Sequence, residues 1–516
     1  MSVSPRFSIL IPSRNRPELL DHALASVLDE DAADVEIIVS DNASQPPYGG
    51  LSGSDLLRGG RVRLLRQERG VSVTANWNLA LAEARGDYIL MLGDDDALAP
   101  GFFKRMRDTL AKFGEPDVVY FPAFHYAYPD VVPDHPAGFL WRVDNSVLFR
   151  SEISRRRLAA SESRRLGEMA LSFRHHVSFN AQHFLYSRRW INQVSHQSEF
   201  YKTNYPDYYV AFFTFLLSPN LVVDQKPAVI IGISPKSYGF YHLNGKFEEG
   251  AAQFLAEGVE GLDLARQSPA AMAALELPGS AHTRKWLVAA LAASQAPGVG
   301  RPRVDLRRYR RIQAVDTAIS VALGAAPHRK LVALRSTFPS AQVRLADLIY
   351  YRLRGLGRGP VRQARDEAAR LQTSLGVYLA PVIEPLPLRE HRSIADARVA
   401  LSERERGAGS LMNALSDLAA RLDDLALADG VTVEAGRLER ELAEARSDIA
   451  RLQGQVRTLE ATVADVASPT ATGSLDPALA DALLRHERDT SRRLRERLAR
   501  AERELDDLRR EAPLGP

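Results

Sequence analysis

One glycine after the apolar run Tyr88-Ile-Leu-Met-Leu92, the chain sets three carboxylates side by side, Asp94-Asp95-Asp96. Adjacent acids repel one another unless a cation sits among them. Carboxylate oxygens are hard ligands that suit Mg²⁺ or Mn²⁺, and such sites usually share the metal with substrate phosphates. The chemistry indicated is a metal-bridged diphosphate. A solvated acidic turn has the same composition, so the neighbouring elements have to decide. Pro100 follows and is suited by its fixed φ to open the next helix.

A second acid of interest is Asp207 in Asn204-Tyr-Pro-Asp-Tyr-Tyr-Val-Ala-Phe212, at the head of an apolar helix running through Leu217. A helix N-terminus favours an ionised carboxylate and orients it. Asp207 reads either as a general base for a hydroxyl or as an ordinary cap or first-turn acid. Glu199 is the fallback base.

The elements that position these acids are legible from hydrophobic patterning. Phe7 to Pro12 is a strand, and Ser13 to Pro17 is a polar turn. Glu18 to Leu28 is a helix with Leu20, Leu24 and Val27 on one face. Val35 to Ser40 is a strand ending at Asp41-Asn42, and Val62 to Leu65 is a third strand. Val73 to Ala84 is a helix and Tyr88 to Leu92 a fourth strand. Strands alternating with helices predict a parallel sheet, where ligands bind beyond the carboxyl ends of strands. Ser13, Asp41 and Asp94 to Asp96 all fall just past such ends.

Taken in order, Ser8-Ile-Leu-Ile-Pro-Ser-Arg-Asn-Arg-Pro17, Glu36-Ile-Ile-Val-Ser-Asp-Asn-Ala-Ser44 and Ala82-Glu-Ala-Arg-Gly-Asp-Tyr-Ile-Leu90, running into Asp94-Asp-Asp96 and Pro100, resemble the family 2 glycosyltransferases. The resemblance is strong over roughly the first 110 residues, thinner to about residue 245 and absent beyond. It implies an α/β GT-A domain, Rossmann-like with a mostly parallel sheet, that binds a nucleoside-diphosphate sugar. It also implies an inverting, metal-dependent transfer to a hydroxyl acceptor. By resemblance, Asp41 contacts the base or ribose, and Pro12, Ser13 and Arg14 line the same pocket. Asp95 holds the metal, Asp96 is either a second metal ligand or orients the loop, Asp94 lies nearer the ribose, and Asp207 takes the acceptor proton. Gly93 stands where many relatives have the first acid of the motif.

Further positions carry open alternatives. Asn76, beside Trp77 in the first turn of a helix, is either a donor contact or packing. His176 to Trp190 reads as a strand and then a helix from about Ser187, where Asn180, Gln182 and His183 face either an acceptor or solvent. His242, after the strand Ala228 to Ile233, is either a metal or diphosphate ligand or a plain loop residue, with Lys236 and Lys246 as alternative diphosphate contacts.

Composition narrows the classes. Cysteine is absent, which excludes disulfides, thiolate nucleophiles and Cys-based zinc sites. There is no Gly-X-Gly-X-X-Gly after a strand, no phosphate-loop lysine motif and no His-Glu-X-X-His. A net charge of +3 gives no support to a nucleic-acid partner. The N-terminus lacks a basic-then-apolar signal, and no uninterrupted apolar run reaches the roughly 18–20 residues of a bilayer span. Ile312 to Ala326 comes nearest and is broken by Asp316. The expected location is cytoplasmic, with the inner face of the plasma membrane as an extension. Basic clusters at Arg301 to Arg311 and Arg352 to Arg365 are either solvated helix faces or a peripheral membrane contact.

The expected organisation is a GT-A domain over 1–250, an all-α region of undetermined role over 251–430, a coiled coil over 431–467, a linker over 468–475 and a second coiled-coil helix over 476–512. Leu438, Leu442, Ala445, Ile449, Leu452, Val456, Leu459, Val463 and Val466 form the heptad seam. It predicts a homo-oligomer, an antiparallel hairpin or a docking element. The acceptor expected is a glycan or lipid-linked glycan, in bacterial surface polysaccharide synthesis. The competing expectation is a degenerate sugar-nucleotide binder working as a scaffold through its coiled coil.

Overall fold

The structure is a computed structural model, and it describes residues 5–403 except 31–32, 49–61, 133–136, 145, 151–153, 197–198, 245–248, 250–260, 357–367, 369, 372–381 and 386–390. The heptad segment and its linker lie outside the described residues.

The sheet is built on strands β1 (Phe7–Ser13), β2 (Val35–Asp41), β3 (Val62–Arg66) and β4 (Tyr88–Met91). They lie in the order β3-β2-β1-β4, every pair parallel. Both faces are covered, so neighbouring residues of one strand enter different cores. Leu10 and Ile38 face one apolar cluster, while Ile9, Ile11, Ile37 and Val39 face the other. The β1–β2 register sets Ser13 opposite Asp41, and Leu10 opposite Met91 of β4. Strand-end residues therefore gather at one edge.

The first interstrand helix, α1 (Pro17–Leu28), carries its proline at the first helical turn. The second, α2 (Val73–Glu83), is capped by Ser72, whose side chain accepts from the Ala75 N–H. β5 (Ala97–Leu98) then leads to α3 (Phe102–Lys112). Pro100 does not open that helix: Gly101, at φ 73°, is the N-cap, and the left-handed turn it makes suits a residue without Cβ.

Beyond α3 the sheet becomes mixed. It continues through β6 (Val118–Tyr120), β9 (Arg155–Arg157), β10 (Phe184–Ser187) and β11 (Leu221–Asp224). β10 runs antiparallel to both β4 and β6. A second sheet holds β8 (Phe139–Asp144), β7 (Ala123–Ala127), β12 (Val229–Ile233) and β5, in that order. The strand expected across 176–186 is confined to β10, and the following helix, α5 (Arg188–Ser195), starts at a Ser187 cap as predicted.

α4 (Ala160–Leu171) packs against α6 (Pro206–Leu217), which bears Asp207 in its first turn. A short helix, α7 (Tyr238–Leu243), follows β12. Among the described residues, α8 (Pro269–Leu275), α9 (Ala281–Ser294), α10 (Leu306–Ala322), α11 (Arg329–Thr337) and α12 (Ser340–Leu356) then follow. Trp286 of α9 ties them to the domain, since its indole donates to the Ala170 carbonyl at 3.0 Å and its ring meets Tyr208 at 5.5 Å. Among the described residues, those of Met1–Val382 and Arg389–Arg398 form one compact unit. Among the described residues, no helix is long and apolar enough to cross a membrane.

Candidate active site

A cleft of about 740 Å³ opens at the carboxyl ends of β1, β2 and β4. Pro12, Ser13, Arg14 and Arg16 form one wall, Asp94 and Asp95 the floor, and Asn42, Val71 to Thr74, Asn76 and Trp77 the opposite wall. Asn204, Lys236 and Tyr238 close the mouth.

A relay of hydrogen bonds fixes the loop after β1 to the acidic turn. The Arg16 N–H donates to Tyr48 Oη at 3.0 Å, and Tyr48 Oη lies 2.7 Å from Ser13 Oγ. Ser13 Oγ donates to Asp94 Oδ2 at 2.7 Å, so the tyrosine hydroxyl donates to the serine. The Arg16 guanidinium closes the circuit on Asp94 Oδ1 at 2.9 Å.

The three acids have three different environments. Asp94 is ion-paired with Arg16 and accepts a hydrogen bond from Ser13. Asp95 faces the cleft and accepts from Ser234 Oγ at 3.1 Å. Burial, and then the negative charge of Asp94, pushes the Asp95 carboxyl up to about 6. Asp96 does not line the cleft. Its oxygens accept from the Gly93 and Gly232 N–H groups at 2.7 and 2.8 Å and from Gln182 Nε2 at 2.8 Å. Asp96 thus fastens the acidic turn onto β12, the loop-orienting alternative to a metal ligand.

Asp41 is fully buried at the end of β2 and stands behind the cleft wall rather than on it. Its carboxylate accepts from Arg66 Nη1 and from the Ser44 N–H at 2.9 Å. The next residue, Asn42, reaches the wall and clamps the loop before α2 through both amide atoms, to the Val71 carbonyl at 2.9 Å and the Val71 N–H at 2.8 Å. Asn76 lines the cleft, yet its amide is held by Ser40, whose Oγ donates to Asn76 Oδ1 at 2.7 Å.

Asp207 is half-buried at the head of α6, three residues past Asn204. α2 positions the segment before it. Thr74 Oγ1 donates to the Thr203 carbonyl at 2.6 Å, and Asn78 clamps Tyr201 through both backbone groups at 2.9 and 3.1 Å. Trp77, between those two, packs edge-on to Tyr201 at 5.1 Å. Burial pushes the Asp207 carboxyl up to about 6, against the pull of its own backbone N–H.

Other sequence candidates separate from the cleft. Gln182 serves Asp96, His183 is buried with Nδ1 2.8 Å from the Phe121 carbonyl, and Asn180 is exposed. Burial lowers the His183 imidazole to about 4, so it is neutral and structural. The backbone of His242 belongs to α7, and Lys246 lies outside the described residues. Sequence reasoning passed over Tyr48, Asn42, Ser234 and the ion pair of Arg16. Asn42, Ser234 and Arg16 sit within three residues of a strand end, which is the signal that could have found them, while Tyr48 lies seven residues past β2.

Residues 8–172 match the family model of glycosyl transferase family 2. That segment belongs to the family. The N-terminal domain is accordingly a GT-A domain, with the four parallel strands of its β3-β2-β1-β4 edge carrying the cleft. Over 98 residues the chain is 33% identical to the GalNAc(5)-diNAcBac-PP-undecaprenol beta-1,3-glucosyltransferase of Campylobacter jejuni, covering 19% of this chain and 32% of that one. Over 115 residues it is 27% identical to the uncharacterized glycosyltransferase EpsJ of Bacillus subtilis, covering 22% and 33%. The chain thus spans about a third of the length of these curated relatives. Among solved structures, it is similar to S. aureus TarS 1-349 in complex with UDP-GlcNAc at 14% identity and a TM-score of 0.36, over 68% of this chain and 91% of that one.

Proposed function

We propose that this domain transfers a sugar from a nucleoside-diphosphate sugar to a hydroxyl acceptor by one inverting displacement. The observation that carries this reading is the convergence of Ser13, Asp94 and Asp95 on one cleft at the ends of parallel strands, with the Asp207 helix head three residues past Asn204 of the cleft lining. Arg14 and Lys236 bring positive charge to the cleft walls, where a diphosphate needs it.

The donor set fits a divalent cation held by one or two carboxylates and completed by phosphate oxygens and water. Asp95, raised by burial and by its neighbour's charge, is the acid that such a cation would relieve, with Asp94 beside it. A bound Mg²⁺ or Mn²⁺ would neutralise charge on the departing diphosphate. Asp207 removes the acceptor proton at its carboxylate, worth roughly 10²–10⁴ in rate. Ser13 and Tyr48 hold Asp94 in place, and Trp77 and Val73 add apolar surface to the cleft lining.

The PP-undecaprenol in the name of the Campylobacter relative supports a lipid-linked glycan as the acceptor class, and surface polysaccharide synthesis is the setting we propose by family analogy. The test is calorimetric titration of UDP, GDP and dTDP, with Mn²⁺ and with EDTA, repeated on Asp95→Ala. We expect metal-dependent binding of one nucleotide that disappears in the variant. Failure of all three to bind would overturn the reading and favour a scaffold role.

A further inference from the structure

The densest basic stretch of the chain folds into a second cavity. Arg307, Arg308 and Arg311 project from the start of α10, and Arg165 and Arg174 approach from α4 and the loop after it. Together they line a space of about 630 Å³ that shares no residue with the donor cleft.

Two acids also border this cavity, and both are engaged. Glu168 pairs with Arg164 at 3.1 Å, and Asp305 caps α10 by accepting from the Arg308 N–H at 2.9 Å. Among the described residues, Arg165, Arg174, Arg307 and Arg311 pair with no carboxylate. The first turn of α10 has no acidic residue, so its arginines sit where the helix dipole disfavours cations. Burial, and then the charges of Arg174 and Arg311, lower the Arg308 guanidinium. Four guanidinium groups lining one cavity without a carboxylate partner among the described residues call for an anion between them. Planar guanidinium forks match phosphate oxygens in pairs, and the volume exceeds that of a single small ion.

We propose that this arginine-lined cavity is a binding site for a multiply charged phosphate group, separate from the donor cleft. The phosphate enters a concavity between α4 and α10, which distinguishes it from a headgroup met on a flat bilayer surface.

The test titrates sodium tripolyphosphate into the full chain. The pocket variant is Arg174→Glu with Arg307→Glu and Arg311→Glu, all exposed side chains. The charge-matched control is Lys104→Glu with Lys112→Glu and Arg329→Glu, exposed elsewhere. The pocket variant should weaken binding at least tenfold, and the control by less than threefold (about 1.4 and 0.7 kcal/mol). A Gln version at the three pocket positions, with an unchanged thermal transition, should weaken it in the same direction. Lys236→Ala, in the donor cleft, should leave this binding unchanged. Equal loss in pocket and control variants would overturn the proposal. So would binding to phosphatidylcholine–phosphatidylglycerol vesicles without any binding of tripolyphosphate. Nucleotide titration of the same variants keeps the two sites distinct, because loss of tripolyphosphate binding should leave nucleotide binding intact.

Discussion

Arg16 Nη1 lies 2.9 Å from Asp94 Oδ1, and this ion pair joins the loop after the first strand to the acidic turn after the fourth. Side-chain exposure is 16% for Arg16 and 5% for Asp94, so neither charge is well solvated. Removing one partner leaves the other charge uncompensated. Arg16→Ala should cost about 3 kcal/mol, toward the lower end for breaking a buried pair. Urea denaturation checks this, and Arg16→Lys should restore part of the loss.

Asp207→Asn should lower kcat by roughly 10²–10⁴ while leaving nucleotide affinity nearly unchanged. A base must be ionised to act, and this one is raised to about 6. The kcat/KM of the unaltered protein should therefore fall as pH drops below about 6. A profile flat from pH 5 to 8 would remove Asp207 from that role.

The same shift has a consequence for stability. Asp207 is raised from 3.8 to about 6 by folding, so the folded state favours its proton. Its contribution is fully present below 3.8 and is lost as pH rises through about 6. Asp207→Asn should then stabilise the protein at pH 7, on the order of 1 kcal/mol after allowing for partial solvent exposure. The gain should vanish near pH 4, and thermal melts at the two pH values read it directly.

Gly232→Ala should damage both fold and cleft. A Cβ there would stand 1.7 Å from the Asp95 carbonyl oxygen, with backbone atoms as the obstacle. The acidic turn rests on this strand, since the Gly232 N–H donates to Asp96 Oδ1. We expect a loss of at least about 3 kcal/mol, at or above the upper end for overpacking, together with weaker nucleotide binding. Chemical denaturation and nucleotide titration measure the two effects separately.

Tyr48→Phe removes the hydroxyl that links the Arg16 N–H to Ser13 Oγ. It should cost about 1 kcal/mol and weaken nucleotide binding several-fold without lowering kcat at saturation. An unchanged affinity would show that the relay does not hold the donor wall.

The sequence by itself determined the parallel core and the cleft's address. Hydrophobic runs of strand length alternating with 3.6-residue periodicity specify buried strands and covering helices, and β1 to β4 fall where that pattern puts them. Ser13, Asp94 and Asp95 follow from it, because polar residues at the ends of parallel strands must meet at one sheet edge. Tertiary structure alone separated the acids. Asp94, Asp95 and Asp96 are equivalent in one dimension, but Arg16, Ser234 and the Gly232 N–H reach them from segments up to 139 residues away. It also moved Asp41 behind the wall and put Asn42 on it, a difference of one residue that the sequence could not rank. The arginines of Arg301 to Arg311 read as a solvated helix face or a membrane contact, and only the fold sets Arg165 of α4 and Arg174 of the following loop beside Arg307, Arg308 and Arg311. Local periodicity decides which side of an element is buried, while which distant charge or N–H meets a given carboxylate depends on packing between elements.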